Sequence, residues 1–513
     1  MIEIVGQAKC VSLTGIRGDM VDVESHVSFG LSAFNIAGLP DTAVKEARDR
    51  VRAALVSCGL SFPTSRVVVN LSPASLKKQG SSFDLALAVS LAMAIAAIPR
   101  NSTENWAFIA ELGLDGRLHP VRGMLPSVYE CAKRGIKKVV VPIANAKEAR
   151  LITGIEVVAL NHLSEVLVML GSRSVGRIQM PIVAEKTETL PIHRQQVDMS
   201  EVVGQEGAKA ALETAAAGGH HILMVGPPGI GKTMLAARLP TILPKLTHED
   251  SLEVTSIHSI SGNLPNGQLI TIPPFETPHH TSTAAAIIGG GSGIPRPGAV
   301  SRAHKGVLFM DEAPEFSVRV LQTLRQPLES GEVIIDRVNA TAKYPARFQL
   351  VMAANPCPCG MFYDTGIKCT CTSVARRKYF GKLSGPLLDR IDLQVAVENI
   401  KSKDLLNTNA ESSAVIAQRV QNARNAQAER LKGTEWSLNS EVPSSFLLDG
   451  IDYDSPMRRE LNLAFDKGVV SLRGMDRALR VAWTLADLRG KVSPSRDEVA
   501  EAIFMRPKTI GGR

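Results

Sequence analysis

No stretch of this chain is apolar for long enough to cross a bilayer: the longest such run, Leu85 to Ile98, falls short of the ~20 residues that a spanning helix needs. It reads as a buried helix, and no membrane partner is expected. The amino terminus, Met1-Ile2-Glu3-Ile4-Val5, has neither the basic head nor the apolar core of a secretory leader, so a cytoplasmic location is expected. Cysteine is sparse, at 7 in 513 residues, and in a reducing compartment these are thiols or metal ligands, not a disulfide framework. Neither sign of charge dominates. The net charge of +8 allows nucleic acid as a partner without requiring it, and a solvated surface with a slight cationic surplus accounts for it equally well.

What is present is a soluble globular composition, 44% hydrophobic and 21% charged, on a chain long enough for roughly three domains. Residues 1–170 alternate strand-like and helix-like segments, among them Val27-Ser28-Phe29, Val67 to Leu71, the apolar helix from Phe83, Trp106 to Ala110, and Val139 to Pro142. They read as a first α/β domain. Residues 171–198 are polar and without period, and read as a linker. A nucleotide-binding domain is expected over 199–399, and helical spacing dominates 400–513.

The run Gly226-Pro227-Pro228-Gly229-Ile230-Gly231-Lys232-Thr233 matches G-x-x-x-x-G-K-[ST] in full, between a strand-like His221 to Val225 and a helix-like Met234 to Leu239. The glycines let successive backbone N–H groups face phosphates, and the helix that follows aims its positive end at them. Lys232 reaches the β/γ-phosphates and Thr233 is placed to ligate Mg²⁺. A second apolar strand, Gly306 to Met310, delivers Asp311-Glu312. Asp311 would hold Mg²⁺ through water, and Glu312 would orient the attacking water. A third, Phe348 to Ala354, ends at Asn355-Pro356, where an amide would sit beside the same phosphates. Arg390, in Leu388-Asp389-Arg390-Ile391-Asp392, is of the type that a neighbouring subunit supplies to a transferring phosphoryl group.

These motifs in this order resemble the magnesium-chelatase and minichromosome-maintenance branch of the AAA+ ATPases. The resemblance implies that Asn355 is sensor 1, that Arg390 is an arginine finger acting in trans, and that Arg473 is sensor 2 on a helical lid, with Arg477 one turn further along as the competing choice. It also places Val203, in Val202-Val203-Gly204-Gln205, against adenine. Two insertions of that branch have counterparts here: Thr281 to Val300, expected as a flexible excursion, and a hairpin between Glu329 and Pro345. In ring translocases such a hairpin projects into the pore, which makes Arg337 and Lys343 candidate phosphate contacts on DNA.

Cys357-Pro358-Cys359 and Cys369-Thr370-Cys371 form two C-x-C pairs nine residues apart. Four thiolates so close could surround one tetrahedral Zn²⁺ and pin a loop; four reduced thiols are the alternative.

In the first domain, Lys77-Lys78-Gln79-Gly80-Ser81-Ser82-Phe83-Asp84 resembles the Lon protease stretch that carries the nucleophilic serine, with Ser82 at that place. Pro120 to Leu125 and Arg134 to Pro142 follow the Lon pattern downstream, but Leu125 stands where the lysine base belongs. A hydroxyl without a base is a poor nucleophile, so a Lon-like fold without peptidase activity is expected. Lys77, Lys78 and Lys137 remain for a binding surface.

Taken over nearly its whole length, the chain resembles the YifB/ComM family. That resemblance implies an α/β fold, a Lon-like domain followed by an AAA+ core with a helical lid. It implies a hexameric ring using ATP and Mg²⁺ that moves on single-stranded or branched DNA and promotes branch migration in natural transformation. The alternative is a chelatase motor remodelling a metal-inserting partner; the first domain weighs against it.

Overall fold

The computed structural model describes residues 5–78, 80–175, 197–264, 267–291, 295–337, 340–363, 368–383, 385–398 and 410–506. Most of the expected linker, 171–198, and the junction near residue 400 lie outside them, as does the side chain of Arg337.

The first unit opens on two long antiparallel strands, Val5–Thr14 and Arg17–Ser28, in a four-stranded sheet completed by Arg66–Ser72 and the edge strand Ala33–Ala37. Alternation of buried and open positions along Arg17–Ser28 puts Val21, Val23 and Ser25 on the core face, as a half-buried antiparallel strand requires. The expected strand at Val27 to Phe29 is the end of this longer one, and Phe29 lies beyond it, 82% exposed. The helix Asp84–Ala94 is buried at every position, which explains why it is apolar all round and not along one stripe. A parallel three-stranded sheet, Trp106–Phe108, Lys138–Pro142 and Glu156–Leu160, closes this core.

The second unit is built on five parallel strands in the spatial order Phe275–Glu276, Val307–Met310, Gln349–Ala354, Ile222–Val225, Leu393–Ala396. Parallel strands covered on both faces should be continuously apolar, and three of these are buried throughout: Ile222–Val225, Val307–Met310 and Gln349–Ala354. One face packs on the helices Glu206–Gly218 and Lys232–Ile242 and, in the same core, on the carboxyl-terminal helices Ser413–Arg430 and Leu472–Leu488. The other face holds a second core that includes the hairpin Glu332–Arg337 and Ala340–Pro345.

The two insertions lie against each other. Residues Thr281 to Val300, expected as a flexible excursion, contain the helix Ala284–Ile288, capped by Thr283, and a two-residue ladder from Gly289–Gly290 to Arg296–Pro297. The Tyr344 hydroxyl of the hairpin donates to the Pro295 carbonyl at 2.6 Å. The first unit touches the hairpin and the helix His248–Ser261. The turn at Gly15 sits so close to the hairpin that a Cβ there would lie 2.3 Å from the Lys343 carbonyl oxygen. The Glu148 carboxylate accepts from Ser259 Oγ of the helix His248–Ser261 and from the Leu125 N–H, the latter at 2.9 Å.

Candidate functional site

Three strand ends converge at the carboxyl edge of the five-stranded sheet, and each delivers part of the site. Ile222–Val225 runs straight into the phosphate loop, where Gly229 and Gly231 take φ of +76° and +95°, values that an L side chain rarely adopts. Lys232 opens the helix that follows. Its ammonium is buried and donates to the carbonyls of Gly226 at 2.7 Å and Pro227 at 2.8 Å, and to Asn355 Oδ1 at 3.0 Å. Burial pushes this amine below its ordinary range, against the pull of Asp311 and Glu312. Gln349–Ala354 lies between the strands bearing the phosphate loop and Asp311, so Asn355 is placed centrally.

Thr233 Oγ1 donates to Asp311 Oδ2 at 2.7 Å. A hydroxyl and a carboxylate at that separation offer hard oxygens of the kind that Mg²⁺ takes with one or two protein ligands and several waters. Glu312 follows with φ +49°, a strained value for a non-glycine residue, and its side chain is about half exposed beside the phosphate loop. His280 Nδ1 stands 3.6 Å from Glu312 Oε2, and its ring lies against His279 with centroids 4.2 Å apart. Sequence reasoning missed His280. A His-His pair after an edge strand carries no local signal, because only the sheet order brings it to Asp311-Glu312. Val203 is 37% exposed just before Gln205, whose amide donates to the Glu398 carbonyl at 2.6 Å.

Arg390 is not with this group. It lies at the opposite, amino-terminal edge of the sheet, just before the strand Leu393–Ala396, which runs parallel to Ile222–Val225. There it pairs with Glu329 and donates to the Pro386 carbonyl. Arg473 is beside it, 76% exposed and bonded to Asp389 at 2.6 Å, while Arg477 pairs with the buried Asp392. Arg473, Arg477 and Arg325 together push the Arg390 guanidinium down, after burial, which has the larger effect. A cavity of about 930 Å³ opens at this edge, lined by Lys305, Arg347, Arg390, Arg477 and Arg480 among others.

The four cysteine sulfurs lie within 4.8 Å of one another. Cys357 and Cys359 are each 3.7 Å from Cys369. Four thiolates on one Zn²⁺ at ~2.3 Å would be about 3.8 Å apart, so the donor set fits a closed tetrahedral ion. On the hairpin, Lys343 pairs with Glu332 at 2.6 Å and stays 54% exposed.

In the first unit, Ser82 contributes its main-chain carbonyl, which accepts from the Ala110 N–H at 3.3 Å and from Cys10 Sγ at 3.4 Å. Leu125 is fully buried. Lys78, expected on a binding surface, is instead buried, with its amine donating to the Pro73 carbonyl. Asp84 is held by Arg50 at 2.6 and 3.0 Å, yet burial raises its carboxyl to about 6.

Comparison with known proteins agrees with this architecture. The model of the magnesium chelatase subunit ChlI matches residues 198–405, its carboxyl-terminal companion matches 410–506, and one described as subunit ChlI of Mg-chelatase matches 23–145. An uncharacterised protein of Mycobacterium tuberculosis is 46% identical over 98% of both chains. Competence protein ComM of Haemophilus influenzae is 38% identical over 96% of this chain and 95% of its own. The chain belongs to the YifB/ComM family. As a YifB/ComM protein it is a magnesium-chelatase-like AAA+ ATPase in type, which implies ATP and Mg²⁺. Lon protease 2 of Bacillus subtilis is 32% identical over 26% of each chain, in keeping with a Lon-like fold for part of this YifB/ComM chain. Because the model over 23–145 also carries a magnesium chelatase description, the first unit does not by itself separate the motor from the chelatase reading. No helix among the described residues is long and apolar enough to cross a membrane.

Proposed function

We propose that this chain is a ring-forming DNA motor, hexameric after the family pattern, that uses ATP hydrolysis to promote branch migration while incoming DNA is integrated in natural transformation. The observation that supports the ring-ATPase part of this reading is the division of the nucleotide residues between opposite edges of one sheet. Lys232, Thr233, Asp311, Glu312 and Asn355 share the carboxyl edge, and Arg390 and Arg473 share the other. A chain cannot turn Arg390 onto its own phosphate loop without breaking that sheet, so the complete site is one made between neighbours, and oligomerisation and hydrolysis are coupled.

In the complete site Lys232 leaves its carbonyl acceptors for the β/γ-phosphates, and Thr233 and Asp311 hold Mg²⁺, whose charge helps neutralise the phosphates. Glu312 accepts a proton from the attacking water, Asn355 senses the γ-group, and Val203 borders the adenine. Arg390 and Arg473 of one protomer neutralise charge at the next. The units are taken as 1–170, 199–399 and 400–513. The four cysteines hold structural Zn²⁺. The DNA cargo is supported by the relative's name, competence protein, and by the hairpin bearing Arg337 and Lys343.

The test is ATPase activity with no DNA and with single-stranded, duplex and three-stranded DNA, with Lys232→Ala and Glu312→Gln as controls. Stimulation by DNA is expected. ATPase indifferent to every DNA, with co-purification of a porphyrin-binding subunit, would establish the chelatase reading instead.

A further inference from the structure

The four-cysteine loop sits directly on the nucleotide site. Cys357 follows Asn355 after a single residue, on the turn that leaves the strand Gln349–Ala354. The Gly360 N–H donates to the Cys357 carbonyl at 3.0 Å, and Gly360, buried with φ +75°, lies so close to the phosphate loop that a Cβ there would be 2.7 Å from Pro228 Cδ. The loop backbone therefore rests against Pro228 with no side chain between. On its far side the Phe362 N–H donates to Cys357 Sγ at 3.3 Å, and the Phe362 ring lies 4.0 Å from the Arg376 guanidinium, which also donates to the Cys371 carbonyl at 2.9 Å. Arg376 belongs to the helix Ser373–Gly381, whose Tyr379 and Phe380 are buried in the same core as Met352 and Ala354, with the Tyr379 hydroxyl beside the Asn355 main chain.

Every acceptor of Lys232 lies on one of the two segments that this loop braces: Gly226 and Pro227 on the phosphate loop, and Asn355 after the strand. Among the loop's described residues Cys357 and Gly360 are buried, whereas Pro358, Met361, Lys368 and Thr370 are exposed and Cys359, Cys369 and Cys371 are half-buried, so apolar burial fixes its first turn but not the segment around Cys369. What can fix it is the shared bonding of its sulfurs, since metal binding free energy is spent on ordering the segment that carries the ligands.

We propose that the zinc-held cysteine loop is a strut that positions the phosphate loop and Asn355, so that loss of its metal weakens nucleotide binding. This rests on the zinc reading above. Metal binding here is remote from the phosphates and supplies no ligand to them; its effect passes through Gly360 to Pro228 and through Cys357 to Asn355.

The experiment measures zinc per chain by elemental analysis and the affinity for a fluorescent ADP analogue with Mg²⁺, on the full-length protein. Wild type, Cys369→Ser, Gly360→Ala and wild type stripped with a chelator and then given zinc back are compared. We expect stoichiometric zinc in wild type, loss of zinc in Cys369→Ser with affinity reduced about tenfold or more, and recovery of the stripped protein on zinc addition. Gly360→Ala keeps all four thiols. It should retain zinc and still bind nucleotide several-fold more weakly, because its methyl displaces Pro228, a result that misfolding at the metal site could not produce. Wild type without zinc overturns the metal reading and the strut with it. Zinc present in wild type, with nucleotide affinity unchanged in Cys369→Ser, in the stripped protein and in Gly360→Ala, overturns the strut alone.

Discussion

His280 Nδ1 stands 3.6 Å from Glu312 Oε2, so the carboxylate assigned to orient water is already engaged by a residue from a different strand end. A carboxylate with an imidazole standing at that distance has one side closed to an incoming water. His280→Ala should therefore raise ATP turnover in the absence of DNA by a few-fold and shrink the ratio of DNA-stimulated to basal rate, with KM for ATP little changed. Turnover measured with and without DNA checks this. Glu312→Gln, which removes the base, should lower turnover by ~10²-fold or more while leaving nucleotide bound.

The arginine edge yields a stability prediction. Asp392, fully buried, is shared by His220 at 2.9 Å and by Arg477, and His220 also bonds Thr484 at 2.8 Å. The network ties the start of the strand Ile222–Val225, the Arg390 turn and the helix Leu472–Leu488 into one piece. Removing one partner leaves a buried charge uncompensated, at a cost of about 3–5 kcal/mol. Arg477→Met should lower the unfolding midpoint accordingly, whereas Arg473→Met, at an exposed pair, should cost under about 1 kcal/mol.

The same edge sets a pH dependence. Burial pushes His221 down to about 4 from an ordinary 6.5, against the pull of Asp392. Between those values the unfolded chain binds a proton that the folded chain refuses, so stability is full above about 6.5 and falls as pH drops toward 4. Asp392 is held well below the carboxylate range by His220 and Arg477, so its contribution is lost only at still lower pH. The His221 effect is at most about 3 kcal/mol, and smaller to the extent that the adjoining cavity admits water. Denaturant titrations at pH 7 and pH 5 should show the drop, and His221→Gln should flatten it.

For the Lon-like unit the expected outcome is silence. Leu125 is buried and its N–H is committed to Glu148, so Leu125→Lys places an amine in an apolar core and should destabilise the protein without creating a base. Casein should survive incubation with wild type, Ser82→Ala and Leu125→Lys alike.

Much of the carboxyl edge was legible in the sequence because its residues are written as strand ends: Val225 before the loop, Met310 before Asp311, Ala354 before Asn355. The spacing of Arg390 gave its type but not its edge, which follows from where Leu393–Ala396 pairs. His280 and the Gly360 contact with Pro228 arise from strand order and loop folding across long separations, and no local pattern encodes them. The burial of Lys78 was hidden for a related reason, since a lysine in a polar run reads as solvated until the turn at Pro73 closes over it. The excursion at Thr281 to Val300 looked formless because its order comes from packing on the hairpin and not from its glycines.

The central claim is that hydrolysis completed between neighbouring protomers drives DNA strands past one another. The direct measurement is strand displacement from a labelled three-stranded junction, with ATP and Mg²⁺, by wild type, by Arg390→Ala, by Glu312→Gln and by an equimolar mixture of the two variants. The account predicts displacement by wild type, none by either variant alone, and partial recovery in the mixture, where an intact Arg390 meets an intact Glu312 at some interfaces. Displacement by Arg390→Ala at the wild-type rate, or none by a wild-type protein that hydrolyses ATP, would contradict it.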